Sequence, residues 1–369
     1  MAVLRYENVT KKYGRMKAVE DMSFETKEGE FLVILGPSGA GKTTTLKIAC
    51  GLVNPNEGRV FLGSEDITKL PPYHRDIAIT FENYALYPHM TVFDNMAYPL
   101  RSVKGAFSEE DIRKRVVGVA TMLHIDPLLE RFPDEASGGQ KQRIALGRTM
   151  VRKPKVYLLD EPLAHLDAKI RVELREEFHR IEELKQATTV YVTHDYTEAL
   201  SLGDRIMILQ EGKVLQVDTP DNIYYHPVSL EVARQVGQPA INMIQCEVQK
   251  KDGKIILQSQ KSKDLKFALL ERHKKIFDRY GKKSVILGIR PKDIGITPIK
   301  EAVRSNAKVE VFQPLGSEGV ITTSVDNDSI VGLIDPTETI KHGETVTFYF
   351  ETKFFYFFDI DSKKNLELQ

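Results

Sequence analysis

Eight consecutive residues, Gly36-Pro37-Ser38-Gly39-Ala40-Gly41-Lys42-Thr43, fit the pattern G-x4-G-K-[ST] between an apolar run and a helix expected over Thr43 to Cys50. Glycines let main-chain amides turn toward phosphate oxygens without a Cβ in the way, and a helix N-terminus adds positive dipole. Lys42 would bridge β- and γ-phosphates and the Thr43 hydroxyl would ligate magnesium. The acidic partner of such a loop belongs at the end of a buried strand. Val156-Tyr157-Leu158-Leu159-Asp160-Glu161 supplies one, with Asp160 placed for the metal and Glu161 for taking a proton from water as general base. The same two acids also suit a plain strand-terminal turn before Pro162. His194 follows another apolar strand in Val-Thr-His-Asp, where it would either hydrogen-bond a γ-phosphate or serve a structural role.

These residues need elements to hold them. Short apolar runs at Phe31 to Leu35, Val156 to Leu159, Thr189 to Thr193 and Arg205 to Gln210 alternate with amphipathic stretches, the pattern of an α/β domain with a buried, largely parallel sheet. Ile170, Leu174, Phe178, Ile181 and Leu184 recur at helical spacing with charged residues between them, which predicts one solvated helix. Ser137 and Gln140 fit a capping box opening a helix through Val151. Around Val236-Gly237-Gln238-Pro239 the pattern breaks, and a domain boundary is expected there. Beyond it, Lys254 to Ser259, Ser284 to Ile289, Lys308 to Phe312, Gly319 to Ser324 and Thr345 to Phe350 read as short strands of a small β-barrel or OB-like domain, with helix around Asp264 to Arg279.

Composition narrows the classes further. The 369 residues carry 52 Lys plus Arg against 52 Asp plus Glu, so no global field favours a polyanion and a protein living by nucleic-acid binding is not expected. Cys50 and Cys246 are far apart and show no metal-type spacing, which fits a reducing compartment. No apolar run reaches the roughly 18 residues of a spanning helix, and the start Met-Ala-Val-Leu-Arg-Tyr-Glu-Asn does not read as a secretory signal.

Ala136-Ser137-Gly138-Gly139-Gln140, between the two phosphate-site motifs, resembles the signature of ATP-binding cassette proteins, usually Leu-Ser-Gly-Gly-Gln. The resemblance runs along essentially the whole chain. It implies an α/β P-loop cassette over 1–236, with a helical subdomain inserted at about 86–152, and a β-rich OB-like regulatory domain over 237–369. It implies ATP and Mg2+ as ligands, with Tyr13 stacking on adenine and Gly36, Pro37, Ser38, Gly39, Ala40, Gly41, Lys42, Thr43 and Thr44 around the phosphates. Ser137, Gly138, Gly139 and Gln140 would face the ATP of a partner subunit, and Asp167, in Leu166-Asp167-Ala168, would lie on the loop crossing the dimer interface. Asn83-Tyr84-Ala85-Leu86-Tyr87-Pro88-His89-Met90-Thr91-Val92 resembles the loop by which sugar-importer cassettes sense their permease, and Gly288-Ile289-Arg290-Pro291-Lys292-Asp293-Ile294 resembles the C-terminal domain of maltose-type importer ATPases.

By the same resemblance the chain is expected to be a subunit at the cytoplasmic face of the inner membrane, a homodimer or a heterodimer with a second cassette, working with two permease chains and a solute-binding protein outside. Uptake of a carbohydrate or polyol leads; a polyamine, glycerol phosphate or inorganic anion is the alternative cargo. A non-transport cassette ATPase would be expected to carry two cassettes or a long coiled-coil insertion. Three departures stand out: Ala136 replaces the usual Leu, Ala164 and His165 replace Ser and Asn, and Glu82 replaces the Gln that ligates magnesium. A carboxylate at Glu82 still ligates magnesium but cannot donate as an amide does, and it brings negative charge toward the γ-phosphate.

Overall fold

A computed structural model describes residues 2–81, 84–103, 105–164, 166–180, 187–251, 253–299 and 302–368. The chain divides into two compact units, Met1–Asp221 and Asn222–Gln369.

The first unit holds a six-stranded sheet in the order Lys213–Asp218, Arg205–Gln210, Phe31–Leu35, Thr188–Thr193, Val156–Asp160 and Ile77–Thr80. All its pairings are parallel except that of the edge strand Lys213–Asp218. Continuous apolar runs lie here because both faces are covered: every residue of Val156–Asp160 and of Thr188–Thr193 is buried. A four-stranded antiparallel sheet, ordered Met16–Glu25, Leu4–Tyr13, Glu57–Leu62 and Glu65–Asp66, shares its core with the first sheet and with helix Lys42–Ala49. Tyr6 is part of that seam, stacked on Phe24 at 4.7 Å and donating its hydroxyl to the carbonyl of Thr45 at 2.8 Å.

Among the described residues of 86–152 lie three α-helices, each opened by a hydroxyl cap: Val92–Arg101 by Thr91, Glu109–Met122 by Ser108 and Gly138–Met150 by Ser137. The helix read from Ile170 onward is present as Ala168–Arg180, with Leu174 and Phe178 buried; Ile181 and Leu184 lie outside the described residues.

The second unit contains two five-stranded antiparallel sheets, so the β-rich character expected of the C-terminal half is found. One runs Lys266–Ala268, Lys254–Ser259, Asn242–Lys251, Ser284–Ile289, Tyr356–Asp359; the other runs Ile294–Gly295, Thr345–Glu351, Ala302–Pro314, Gly319–Val325, Asp328–Ile334. A single apolar cluster rich in phenylalanine draws on both. Two expectations change. The compact units part between Asp221 and Asn222 rather than at the Gly-Pro break near 237, because Leu230 and Ala233 pack against Ile241, Ile286, Tyr356 and Phe358 of the second unit. Helix over Asp264 to Arg279 shrinks to Lys274–Arg279 with a 3-10 turn before it, and Lys266–Ala268 is an edge strand instead. Phe267 explains the strand: it is buried edge-on to Phe350 and Phe355, at 5.2 and 5.6 Å, and strand pairing with Leu257 aims it there.

Arg290 anchors the start of this unit. It is 2% exposed, donates to the carbonyls of Val236 at 2.5 Å and Tyr224 at 2.6 Å, and lies 3.9 Å over the Tyr224 ring. Arg290→Ala leaves both carbonyls without this donor and opens a void, so a loss of roughly 2–4 kcal/mol is expected. Thermal or denaturant unfolding of the full chain measures it, and a change below about 0.5 kcal/mol would contradict this role.

Candidate active site

The sheet order brings the chemistry together. Phe31–Leu35, Thr188–Thr193 and Val156–Asp160 are consecutive strands running the same way. Their C-terminal ends deliver the phosphate loop, His194 and the Asp160–Glu161 pair to one rim, where ligands of open α/β sheets bind. Adjacent strands are about 4.8 Å apart, so groups separated by well over a hundred residues become neighbours.

Two glycines of the loop are required by close approach. A Cβ on Gly36 would stand 2.2 Å from the carbonyl oxygen of Leu209, and one on Gly41, at φ 104°, 2.3 Å from that of Ala18. The next residue, Lys42, is 5% exposed. Its ammonium donates to the carbonyls of Gly36 at 2.9 Å and Pro37 at 3.1 Å, and lies 3.6 Å from Glu161 Oε1. A buried cation satisfied by loop carbonyls is placed to exchange them for phosphate oxygens.

The Thr43 hydroxyl lies 3.3 Å from Asp160 Oδ1. A hydroxyl and a carboxylate side by side form a hard-oxygen pair that suits Mg2+, which takes one or two protein oxygens and completes its shell with water and phosphate. Among the described residues no group of three or more His, Cys, Asp and Glu could hold a metal unaided. Glu82, the remaining residue expected at the metal, lies outside the described residues, as do Asn83 and His165.

Glu161 carries an uncommon backbone, φ 46°. Its amide donates to Val192 at 3.0 Å and its carbonyl accepts from Ala164 at 3.2 Å and from Gln142 Nε2 at 3.0 Å. Its carboxylate meets His194 Nδ1 at 2.9 Å through Oε2. His194, expected from sequence either to hydrogen-bond a γ-phosphate or to serve a structural role, is joined here to Glu161, a contact that orients the carboxylate.

A cavity of about 730 Å3 opens over these groups, lined by Ser38, Gly39, Gly41, Lys42, Thr43, Thr44, Glu161 and His194, with Tyr13 at its edge. That volume suits a ligand of nucleotide size. Tyr13 is 44% exposed, leaving a ring face available for a flat partner. Met16, Lys17, Ala18 and Glu211 also line the cavity and were not singled out from sequence. Nothing in their spacing distinguished them, since Glu211 arrives on the turn between Arg205–Gln210 and Lys213–Asp218.

Ser137, Gly138, Gly139, Gln140 and Asp167 do not line this cavity. Ser137 accepts from the Gln140 amide at 3.3 Å and donates its own amide to Gln140 Oε1 at 2.8 Å, completing the capping box. Asp167 is exposed and accepts from the Ile170 amide at 3.0 Å, opening the next helix. Arg171, not anticipated, donates to the Leu166 carbonyl at 3.1 Å and lies 3.8 Å from Asp195, beside His194.

A glycine loop feeding a helix, a buried lysine, and an acid pair at the end of the next strand but one in the same sheet define a P-loop nucleoside triphosphatase. The family model for ABC transporter matches residues 19–164. The trehalose/maltose import ATP-binding protein MalK of Thermococcus litoralis is 40% identical over 97% of this chain and 98% of its own length. The sn-glycerol-3-phosphate import ATP-binding protein UgpC of Yersinia pseudotuberculosis is 38% identical over the full length of both. Among solved structures, the dimeric post-hydrolysis state of an ATP-binding cassette bound to ADP and Pi matches at TM-score 0.55 and 33% identity, over 59% of this chain and 98% of that one. The chain belongs to the ABC transporter ATP-binding protein family and is an ATPase. No helix among its described residues is long and apolar enough to cross a membrane.

Proposed function

We propose that this chain powers an importer for a carbohydrate or related polyol, hydrolysing ATP at the cytoplasmic face of the membrane as half of a cassette dimer bound to two permease chains. The observation that carries the reading is that Lys42, Thr43 and the Glu161–His194 pair line one cavity, with the buried Asp160 against the Thr43 hydroxyl.

Tyr13 stacks on the adenine, and Gly36 to Thr44 wrap the phosphates with main-chain amides and the Lys42 ammonium. Thr43 and Asp160 hold Mg2+, with Glu82 joining them by resemblance; the ion, when bound, neutralises charge on the phosphate oxygens. Glu161, oriented by His194, takes a proton from the attacking water. The water oxygen bonds to the γ-phosphorus as the bond to the ADP oxygen breaks, and Lys42 offsets charge on the departing groups. Ser137 to Gln140 and Asp167 serve the nucleotide of the partner subunit, a role supported by the exposure of Ser137, Gly138 and Asp167 and by the absence of all five from their own chain's cavity.

A second surface supports a permease partner. Arg148 donates to the carbonyls of Ala85 at 2.7 Å and Tyr84 at 3.0 Å, while Asn95, fully buried, holds the carbonyls of Tyr87, Met90 and Thr91 at 3.0 to 3.1 Å. A groove of about 460 Å3 lined by Met90, Asp94, Tyr98, Arg101 and Ser102 adjoins this fixed loop. Its mixed aromatic and charged lining suits a short amphipathic helix of a permease.

Glycerol phosphate is the second reading of the cargo, since a full-length relative at 38% identity carries that name. Co-purification with permease chains, followed by uptake of labelled sugars, polyols, glycerol phosphate and polyamines into vesicles, tests both. ATP-dependent uptake of a sugar or polyol is expected. Uptake of glycerol phosphate alone would move the assignment to the second reading, uptake of a polyamine alone would overturn both cargo readings, and no permease association would end the importer reading.

A further inference from the structure

Gln142 lies in the second turn of the helix Gly138–Met150 and is 2% exposed. Its side-chain amide crosses to another element and donates to the main-chain carbonyl of Glu161 at 3.0 Å. Glu161 needs such a tie. Its φ of 46° lies in the left-handed region, which is strained for a residue with a Cβ and persists only where surrounding bonds hold it.

We propose that Gln142 is a positioning residue for Glu161, locking the peptide that aims this carboxylate at His194 and the attacking water. The proposal rests on the assignment of Glu161 as general base. Three bonds define the conformation: the Glu161 amide to Val192, the Ala164 amide to the Glu161 carbonyl, and Gln142 to that same carbonyl. The first two are main-chain bonds, so Gln142 alone among the three is a side chain that a substitution removes. It is also the one that ties Glu161 to the helix opened by Ser137. Without it the Glu161 carbonyl loses a buried donor, the peptide is freer to rotate, and the carboxylate drifts from the 2.9 Å contact with His194. A drift of about 1 Å in a reacting group is enough to slow a reaction by up to roughly a hundredfold. The Gln142 contact is with the Glu161 main chain, and the Lys42 bonds to Gly36 and Pro37 do not depend on it, so nucleotide affinity is expected to stay within about twofold of wild type.

The full-length protein carries the test, with ATP turnover at saturating Mg-ATP and binding of a fluorescent ATP analogue as readouts. Gln142→Met keeps the volume and removes the donor; Gln142→Glu replaces the donor by an acceptor and serves where methionine compromises folding. For the folded variant, kcat is expected to fall about tenfold with analogue affinity within about twofold of wild type. In a Glu161→Gln background the same substitution is expected to cost nothing more, because the residue it positions no longer accepts a proton. An unchanged kcat, or an equal fold-loss in both backgrounds, overturns the positioning role. If Glu161→Gln alone leaves turnover intact, the base assignment fails and this proposal with it. If Glu161→Gln is slow while Gln142→Met is fast, only the positioning role fails.

Discussion

Glu161→Gln is expected to lower steady-state ATP hydrolysis by roughly two to four orders of magnitude, the range associated with losing a general base. The substitution is close to isosteric and keeps an oxygen facing His194 Nδ1, which lies 2.9 Å from the carboxylate. What disappears is the capacity to take a proton from water. The charge change acts in the opposite direction on binding. Glu161 Oε1 is 3.6 Å from the Lys42 ammonium, so the neutral amide leaves that cation free for phosphate and removes a like charge from the γ-phosphate. ATP affinity should therefore hold or rise, and the nucleotide-bound dimer should accumulate. Phosphate release and size-exclusion chromatography with ATP measure the two effects separately. Hydrolysis within about threefold of wild type would remove Glu161 from the role of base.

Lys42→Ala should abolish hydrolysis and weaken ATP binding by roughly a hundredfold or more, the loss expected when charge-assisted bonds to phosphate vanish from a buried site. Two effects add. The triphosphate loses its ammonium, and the carbonyls of Gly36 and Pro37 lose the donor that spans the loop. Lys42→Arg should not restore activity, because a broad planar fork does not fit a site that holds a compact point charge with 5% exposure. Titration with a fluorescent ATP analogue gives the affinity, and the unfolding midpoint tells a local loss from a global one. Unaltered affinity of a folded alanine variant would contradict the placement of the phosphates.

Much of the site was legible because its chemistry is local along the chain. The phosphate loop needs its glycines, lysine and threonine at fixed offsets, and a strand before and helix after are visible as an apolar run and a capped amphipathic stretch. The Ser137–Gln140 capping box is equally local, and it forms as the spacing requires. The short strands of the C-terminal half show their alternation, but Asn242–Lys251 and Asp328–Ile334 do not stand out by it. In both, buried and exposed positions alternate, but polar residues such as Asn242 and Asp328 occupy buried positions and hide the pattern.

The misplacements share one cause, which is that each depends on a partner remote in sequence. Phe267 reads as helix by local composition and is held as strand by pairing with Leu257 and contact with Phe350 and Phe355. The unit boundary looks like the Gly-Pro break, yet Leu230 and Ala233 belong to the second unit because Tyr356 and Phe358 cover them.

Residue types and spacing thus point to the groups proposed to bind phosphate, hold a metal and take a proton, since short-range sterics and hydrogen bonding dictate a loop and its helix. They could not say that His194 would join Glu161 rather than stand alone, that Gln142 would reach the Glu161 carbonyl, or that Glu211 would border the cavity. Those contacts arise from the strand order, in which Thr188–Thr193 lies between Phe31–Leu35 and Val156–Asp160. Burial of apolar faces selects that order over the whole domain, and no window of neighbouring residues contains it.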